Sequence, residues 1–359
     1  MDRTENTPAA GSGTAGAVPL DPELAAVLAA SGARSREPLT LRNLAGRQAV
    51  DAAARPLPSL PELSRDGAFA VEEVRVPGPP GAPEVTLVHA RPAGARGPLP
   101  LLYYMHGGGL VMGNARAVLP RVLASWAGPL GLAVVSVAYR LAPAARYPAA
   151  VEDCRAGLEW VAEHAGRLGV DADRIVIGGK SAGGGLTAAL ALLLRDRGGP
   201  RAVGQLLLSP MLDDRPTRDD RSVPDGRSVP DDRAGAHSAR LQDGVDTLDR
   251  VSNATVWQAY LGGAYGSGDV EPYAAPARAA DLSGLPPAYL DVGAAELFRD
   301  DAVTYASRLW RAGGAAELHV WPGAYHGFDT FAPGAALSRA ATAARTDWLR
   351  RTLDAGGRP

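Results

Sequence analysis

Arg174-Ile-Val-Ile-Gly-Gly-Lys-Ser-Ala-Gly-Gly-Gly-Leu186 is the stretch that decides the fold prediction. It begins with a short apolar run typical of a buried strand and continues into a helical pattern over residues 182–197. Between them lies the pentapeptide Gly179-Lys-Ser-Ala-Gly183, a G-x-S-x-G sequence. A serine at a sharp turn from strand to helix can present its hydroxyl to a substrate, and the helix N-terminus favours negative charge beside it. The pentapeptide alone also fits a glycine-rich turn in which Ser181 caps the helix.

The pattern around this stretch predicts an α/β protein with a mostly parallel sheet. Short, unbroken apolar runs alternate with helical stretches, as expected for strands buried on both faces. An earlier alternating pattern, at residues 70–76 and 85–90, predicts an antiparallel hairpin. The predicted strands are residues 101–105, 133–137, 175–177, 205–208, 288–292 and 317–321, and the predicted helices are residues 23–30, 147–168, 182–197, 248–261, 300–311 and 336–353.

The chain divides into five predicted segments. Residues 1–18 read as a disordered tail, and Asp21 and Pro22 would open the first cap helix within residues 19–50. Residues 51–212 and 266–359 form the two parts of the core, separated by a charged insertion and cap segment at 213–265. Within the latter, residues 213–243 are Pro-rich and repeat the sequence Arg-Ser-Val-Pro-Asp. We interpret them as a surface loop expansion, and a substrate lid stays open as the alternative.

A second glycine-rich motif, His106-Gly107-Gly108-Gly109, directly follows the predicted strand at 101–105. Successive glycines leave backbone N–H groups open to a substrate oxygen. We therefore expect the amides of Gly107, Gly108 and Ala182 to form an oxyanion hole, with Gly109 as a supporting residue.

A serine nucleophile needs a base, and the base needs an acid that orients it. His326 is the predicted base, because it lies in a loop immediately after the last predicted strand. Glu296 is the predicted acid, because it lies in the loop after the strand at 288–292. Asp300 and Asp301 are nearby alternatives, but they open a helix, where a carboxylate is expected as a cap. The chain order Ser, acid, His is that of α/β-hydrolases.

Taken in order, these motifs resemble the hormone-sensitive-lipase-like esterases, over about residues 21–353. The resemblance rests on HGGGLVMG (106–113), YRLAP (139–143), YPAAVEDC (147–154), the Ser181 elbow, LSPMLDD (208–214), ELFRD (296–300) and the His326 loop. It implies an eight-stranded α/β-hydrolase core, a helical cap, and hydrolysis of short- to medium-chain acyl esters through an acyl-serine intermediate. It also implies that His106 orients the oxyanion loop and that Arg140 pairs with Asp153.

Lys180, the only lysine of the chain, stands where this family usually has a carboxylate. One interpretation is a structural pair with a nearby acid, directed away from the cleft. The other is a cation that stabilises the oxyanion or binds an anionic substrate.

Other functions fit the sequence less well. Gly179-Lys-Ser resembles the end of a P-loop, but Arg174 occupies the position of its first glycine. A non-catalytic binding protein would not need all three triad members, whereas an acyltransferase with the same triad stays open. The formal net charge of −2 gives no reason to expect nucleic acid as a partner. We expect no cofactor, no metal, no signal peptide and no membrane span. The single cysteine favours a cytoplasmic location, and the sequence leaves open whether the chain forms a homodimer.

The charged insertion yields a testable prediction. Deleting residues 218–233 should leave the melting temperature nearly unchanged, because a segment without core-forming residues contributes little packing. Differential scanning calorimetry of the two proteins measures the effect. A large loss of stability would show that the segment is packed.

Overall fold

The computed structural model describes residues 18–32, 37–54, 57–216, 238–239 and 247–356. Except for Val18, the predicted tail lies outside the described residues. Residues 217–237 and 240–246 of the predicted insertion also lie outside them. None of the helices in the described ranges is long and apolar enough to cross a bilayer.

The core is one eight-stranded sheet with the order β1-β2-β4-β3-β5-β6-β7-β8. The β1–β2 and β2–β4 pairs are antiparallel and the remaining five pairs are parallel, so the predicted mostly parallel sheet and its hairpin are confirmed. The strands are β1 Phe69–Val76, β2 Val85–Pro92, β3 Leu99–Met105, β4 Ala133–Ala138, β5 Val170–Lys180, β6 Ala202–Leu208, β7 Ala288–Gly293 and β8 Ala316–Trp321.

Helices cover both faces of this sheet. They are α1 Pro22–Ser31, α2 Leu44–Ala54, α3 Leu60–Leu63, α4 Ala115–Val122, α5 Gly128–Leu130, α6 Ala149–Glu163, α7 Ala165–Leu168, α8 Ala182–Arg197, α9 Arg250–Leu261, α10 Arg299–Arg311, α11 Phe328–Phe331 and α12 Ala336–Gly356. A π-helical segment, Leu123–Ala127, joins α4 to α5, and Gly262–Ala264 and Pro276–Arg278 form 3₁₀ turns.

The helix behind the predicted nucleophile is buried on every side. All residues from Ala182 to Leu194 are buried, because α8 lies between the sheet and α6. A helix that is apolar all round is stable only in such a position. On the opposite face, Leu206, Leu208 and Tyr289 pack against Trp348 of α12. The site at the start of α8 is thus built on a rigid support.

Two helical predictions differ from the structure. The helix predicted over 147–168 begins at Ala149 and breaks at His164, which ends α6 and precedes α7. The α4 helix, which contains Pro120, was not among the predicted helices. Asn114 accepts a hydrogen bond from the Arg116 amide and caps its N-terminus, a signal that the sequence does contain.

Residues near the N-terminus pack against α9. The Leu39 amide donates to Ser252 Oγ at 2.8 Å, and Thr255 Oγ1 donates to the Leu39 carbonyl at 2.9 Å. Gln48 of α2 donates to the Val111 carbonyl at 2.6 Å, in the loop after β3. Helix α2 ends at Ala54, beyond residue 50, where the sequence placed the end of the first cap segment. The assignment of these helices as a substrate cap stays a prediction.

The single cysteine provides a reporter of folding. Cys154 is buried in α6, and burial raises the pKa of its thiol well above the usual range. Because the thiolate is the reactive form, we expect no reaction of the native protein with an aromatic disulfide reagent at pH 8. One thiol should react once denaturant unfolds the chain. Rapid labelling of the native protein would contradict the described burial.

Candidate active site

Ser181 lies between the end of β5 and the start of α8, with φ 57° and ψ −119°. A residue with a side chain rarely adopts positive φ, and such a conformation costs on the order of 1–3 kcal/mol. Neighbouring backbone hydrogen bonds hold it: the Ser181 amide donates to the Leu208 carbonyl at 2.8 Å, and its carbonyl accepts from Gly185 and Met211. The G-x-S-x-G pentapeptide therefore has the strand–turn–helix geometry that the sequence predicts.

The flanking glycines are required by close backbone packing. A Cβ at Gly183 would overlap the carbonyl oxygens of Met105 and His106, and one at Gly179 would overlap the Gly183 carbonyl. The turn thus lies directly against the end of β3, where the second glycine-rich motif begins.

The loop after β3 brings backbone amides close to the serine. A Cβ on Gly107 would stand 3.0 Å from the Lys180 carbonyl oxygen and 3.5 Å from Ser181 Cβ. Within the described part of the chain, the amides of Gly107, Gly108 and Ala182 donate no hydrogen bond to a protein group. Gly108 and Gly109 have φ values of 122° and 63°, and Gly109 packs against Val256 of α9.

His106 fixes the shape of this loop. Its ring is buried and stacks on Tyr139 at 4.2 Å between centroids, and its Nδ1 lies 2.7 Å from the Gly107 carbonyl oxygen. Burial lowers the pKa of His106 to about 4, against the effect of that hydrogen bond. The ring is therefore neutral near pH 7, and Nδ1 carries the proton that it donates to Gly107. This contact suits the orienting role that the resemblance implies.

The three predicted triad residues meet at the carboxyl ends of the strands. His326 Nε2 lies 3.0 Å from Ser181 Oγ, and His326 Nδ1 lies 3.1 Å from Glu296 Oε1. The edge of the Phe298 ring contacts the imidazole, and Thr247 Oγ1 donates to the His326 carbonyl at 2.6 Å. Both hydrogen-bonding distances that a Ser–His–acid arrangement needs are present.

Of the two alternative acids, Asp300 is engaged elsewhere. Asp300 Oδ1 pairs with Arg299 at 2.7 Å, and its Oδ2 accepts the Ser238 amide at 2.8 Å. Glu296 is fully buried, with Oε1 facing His326. The geometry thus agrees with the choice of Glu296, whose catalytic role stays a prediction.

Two supports of the acid escaped the sequence analysis. Glu296 Oε2 accepts the Gly293 amide at 2.8 Å and Ser209 Oγ at 2.9 Å. Both donors hold the carboxylate so that Oε1 remains free for the imidazole. Ser209 lies in the LSPMLDD motif, but nothing in the sequence indicated that its hydroxyl would reach residue 296.

The remaining two assignments concern charged residues beside the site. Arg140 forms a bidentate pair with Asp153, whose shortest contact is 2.7 Å, as the resemblance implies. Lys180 Nζ bonds to Asp329 and lies 2.6 Å from Thr330 Oγ1. Of the two interpretations of Lys180, the structural pair agrees with this contact.

Comparison with known proteins agrees with the geometry. The family described as alpha/beta hydrolase fold matches residues 102–330. The chain is similar to carboxylesterase NlhH of Mycobacterium tuberculosis, with 35% identity over 89% of this chain and 93% of the relative. It is 30% identical to an acetyl-hydrolase of Streptomyces hygroscopicus over 71% of this chain and 77% of the relative. Among solved structures, a bacterial heroin esterase superposes with a TM-score of 0.78 at 35% identity, covering 93% of this chain and 98% of that one.

The contacts of Glu296 predict the effect of its replacement. Glu296→Gln should lower kcat by about 10³- to 10⁴-fold, because an amide cannot stabilise an imidazolium. Asp300→Asn is the matched control, and its kcat should stay within about threefold of the parent because Asp300 pairs with Arg299 instead. Steady-state kinetics with an aryl ester measures both. The reverse order of effects would show that the acid is misassigned.

Proposed function

The chain belongs to the family of the alpha/beta hydrolase fold, in its hormone-sensitive-lipase-like branch, and is a serine carboxylic-ester hydrolase. From this premise we propose that Ser181, His326 and Glu296 are its catalytic triad and that it cleaves short- to medium-chain, uncharged esters. The observation that carries the proposal is the continuous hydrogen-bonded line from Ser181 Oγ through the imidazole of His326 to Glu296.

Acylation begins when Ser181 Oγ attacks the carbonyl carbon of the ester. The hydroxyl proton moves to His326 Nε2 as the carbon–oxygen bond forms, and Glu296 stabilises the resulting imidazolium through Nδ1–H. The carbonyl electron pair moves onto the oxygen. When the tetrahedral intermediate collapses, the alcohol leaves with the ester bond's electron pair and takes the proton from Nε2.

Deacylation repeats the sequence with water as the nucleophile. His326 accepts a proton from water, the hydroxide oxygen bonds to the acyl carbon, and Ser181 leaves as the hydroxyl after Nε2 returns the proton. The acid product and the free enzyme result. The relatives compared above carry hydrolase or esterase names, which favours water over a second alcohol as the acyl acceptor.

The oxyanion is stabilised by the amides of Gly107, Gly108 and Ala182. Fixed donors aimed at developing charge need no reorganisation during the reaction, and one such donor is worth on the order of 10²- to 10³-fold in kcat. The absence of protein partners for these amides within the described residues supports this role. His106 holds Gly107 by its carbonyl, so that the amides keep their positions.

Two observations support the substrate class. Lys180, the cation next to the nucleophile in the chain, is paired with Asp329 and so is not presented to an anionic substrate. The relative named acetyl-hydrolase supports a short acyl group. A cytoplasmic location and a homodimer stay predictions.

Covalent labelling tests the proposal. A p-nitrophenyl alkylphosphonate should inactivate the enzyme with one adduct on Ser181, located by mass spectrometry, because only an activated serine attacks such reagents at neutral pH. Ser181→Ala should lose both the adduct and the turnover of aryl acetates and butyrates. Turnover that survives in Ser181→Ala, or an adduct elsewhere, would refute the assignment. A series of p-nitrophenyl esters from acetate to laurate then defines the acyl preference.

A further inference from the structure

Behind the nucleophile turn, β5 and β7, which flank β6, each place a charged residue on the same face of the sheet. Lys180 of β5 pairs with Leu208 of β6, and Leu208 pairs with Asp291 of β7. Residues directly opposite one another in a sheet share a face. This face is the one that α12 covers, since Leu208 packs with Trp348. The side chains of Lys180 and Asp291 therefore lie beneath α12.

Two further residues connect these charges. Asp329 of α11 is 2% exposed and accepts hydrogen bonds from Lys180, from Arg345 of α12 and, at 2.8 Å, from Arg121 of α4. Arg345, also 2% exposed, donates its Nε to Asp291 Oδ2 at 2.6 Å. Lys180, Asp329, Arg345 and Asp291 thus form one chain of contacts, called here the ionic network.

Burial gives this network a high cost of disruption. Burial alone would raise the pKa of Asp329, but the surrounding cations hold that pKa well below its usual range. Burial opposes the charge of Arg345, but Asp291 and Asp329 raise its pKa above the usual value. Both groups are therefore charged near pH 7. Removing Asp329 would take the shared counter-ion from Lys180, Arg345 and Arg121 at once, which is unfavourable for charges held in a buried site.

Three members of the ionic network, Lys180, Asp329 and Asp291, are each close in sequence to a proposed triad residue. Lys180 directly precedes Ser181, and Asp329 follows His326 on the short helix α11. Asp291 precedes Glu296 at the end of β7. The three segments that carry the nucleophile, the base and the acid are thus joined through buried charges on the side of the sheet away from α8.

We propose that the ionic network is a positioning device, in which Lys180, Asp329, Arg345 and Asp291 fix the distance between the serine and histidine segments. This inference rests on the proposed triad. None of the four residues is a catalytic residue: Lys180, Asp329 and Asp291 act through the segments that carry the proposed triad, and Arg345 acts through the two aspartates. Displacing a reacting group by about 1 Å can cost on the order of 100-fold in rate. The network therefore affects kcat more than KM.

A competing explanation assigns Lys180 a direct electrostatic effect on the oxyanion. The two explanations predict opposite changes in kcat when Asp329 is replaced by Asn. If Lys180 acted through its field, loss of its counter-ion would strengthen that field, and Asp329→Asn would leave kcat unchanged or raise it. If the network positions the triad, loss of either partner lowers kcat.

The experiment compares Lys180→Met, Asp329→Asn and the double variant with the parent enzyme. Methionine keeps most of the lysine stem, and asparagine keeps the shape of the carboxylate. We expect each single variant to lower kcat by about 10- to 100-fold with KM within about threefold, and the double variant to be no worse than the poorer single variant. Lys180→Arg, which can keep the pair, should retain most of kcat. Rates are normalised to the Ser181 sites titrated by the phosphonate, so that unfolded enzyme does not count.

A matched control separates positioning from loss of stability. Val85→Ala removes buried methyl groups from β2, which lies next to the edge strand β1, at the end of the strand order away from β7 and β8. It should lower the melting temperature without changing kcat. Thr330→Val replaces by a methyl group the hydroxyl that accepts from Lys180 and, at 3.0 Å, from Arg121. It keeps the charge of Asp329, so it should fold even if Asp329→Asn does not, and it should lower kcat in the same direction.

Three results would overturn the inference. They are parental kcat in Lys180→Met and Thr330→Val, a raised kcat in Asp329→Asn, or an equal loss of kcat in Val85→Ala. None of these results would refute the proposed function as long as Ser181→Ala is inactive. Activity that survives in Ser181→Ala would instead refute the proposed triad, on which this inference rests.

Discussion

At the turn between β5 and α8, the backbone of Gly183 packs against the carbonyl oxygens of Met105 and His106 with no room for a side chain. This close approach places two functional loops in contact, because the serine and the glycine-rich loop after β3 share the same small space. The positive φ of Ser181 is one consequence, and the backbone hydrogen bonds to Leu208 and Met211 offset its cost. A larger residue at Gly183 would push the turn that carries Ser181 away from the loop that carries the proposed oxyanion donors.

The two faces of the sheet serve the site in different ways. On one face, α8 offers apolar packing on all sides and a helix N-terminus directed at the serine. On the other, buried charges under α12 join the ends of β5 and β7 to the loop that carries His326. Apolar packing is nondirectional, whereas ion pairs with fixed donors specify one geometry. The combination gives a rigid support and a defined register of the reacting groups.

Local patterns were enough to predict the strands and helix α8, and the chain order of the proposed triad rests on the same kind of signal. Each depends on residues close in sequence, such as the glycines around Ser181 or the apolar run before Glu296. Contacts between residues distant in sequence could not be predicted from such local patterns. Nothing local indicates that Ser209 would hold Glu296, or that Arg345, in an Ala- and Arg-rich helix, would be buried between Asp291 and Asp329. The α4 helix was not predicted either, although Asn114 caps its N-terminus.

The N-terminal helix bears on the order in which the enzyme matures during synthesis. The Asp21 amide donates to the Gly323 carbonyl at 3.0 Å, and Leu24 and Leu28 pack with Tyr325 and Phe328 around the histidine loop. Helix α1 therefore completes this packing only after residues 323–328 have been synthesised. Contacts this distant in sequence form late and slowly. Ester turnover by a refolding chain consequently reports this long-range packing around the loop that carries His326, as well as the formation of the sheet.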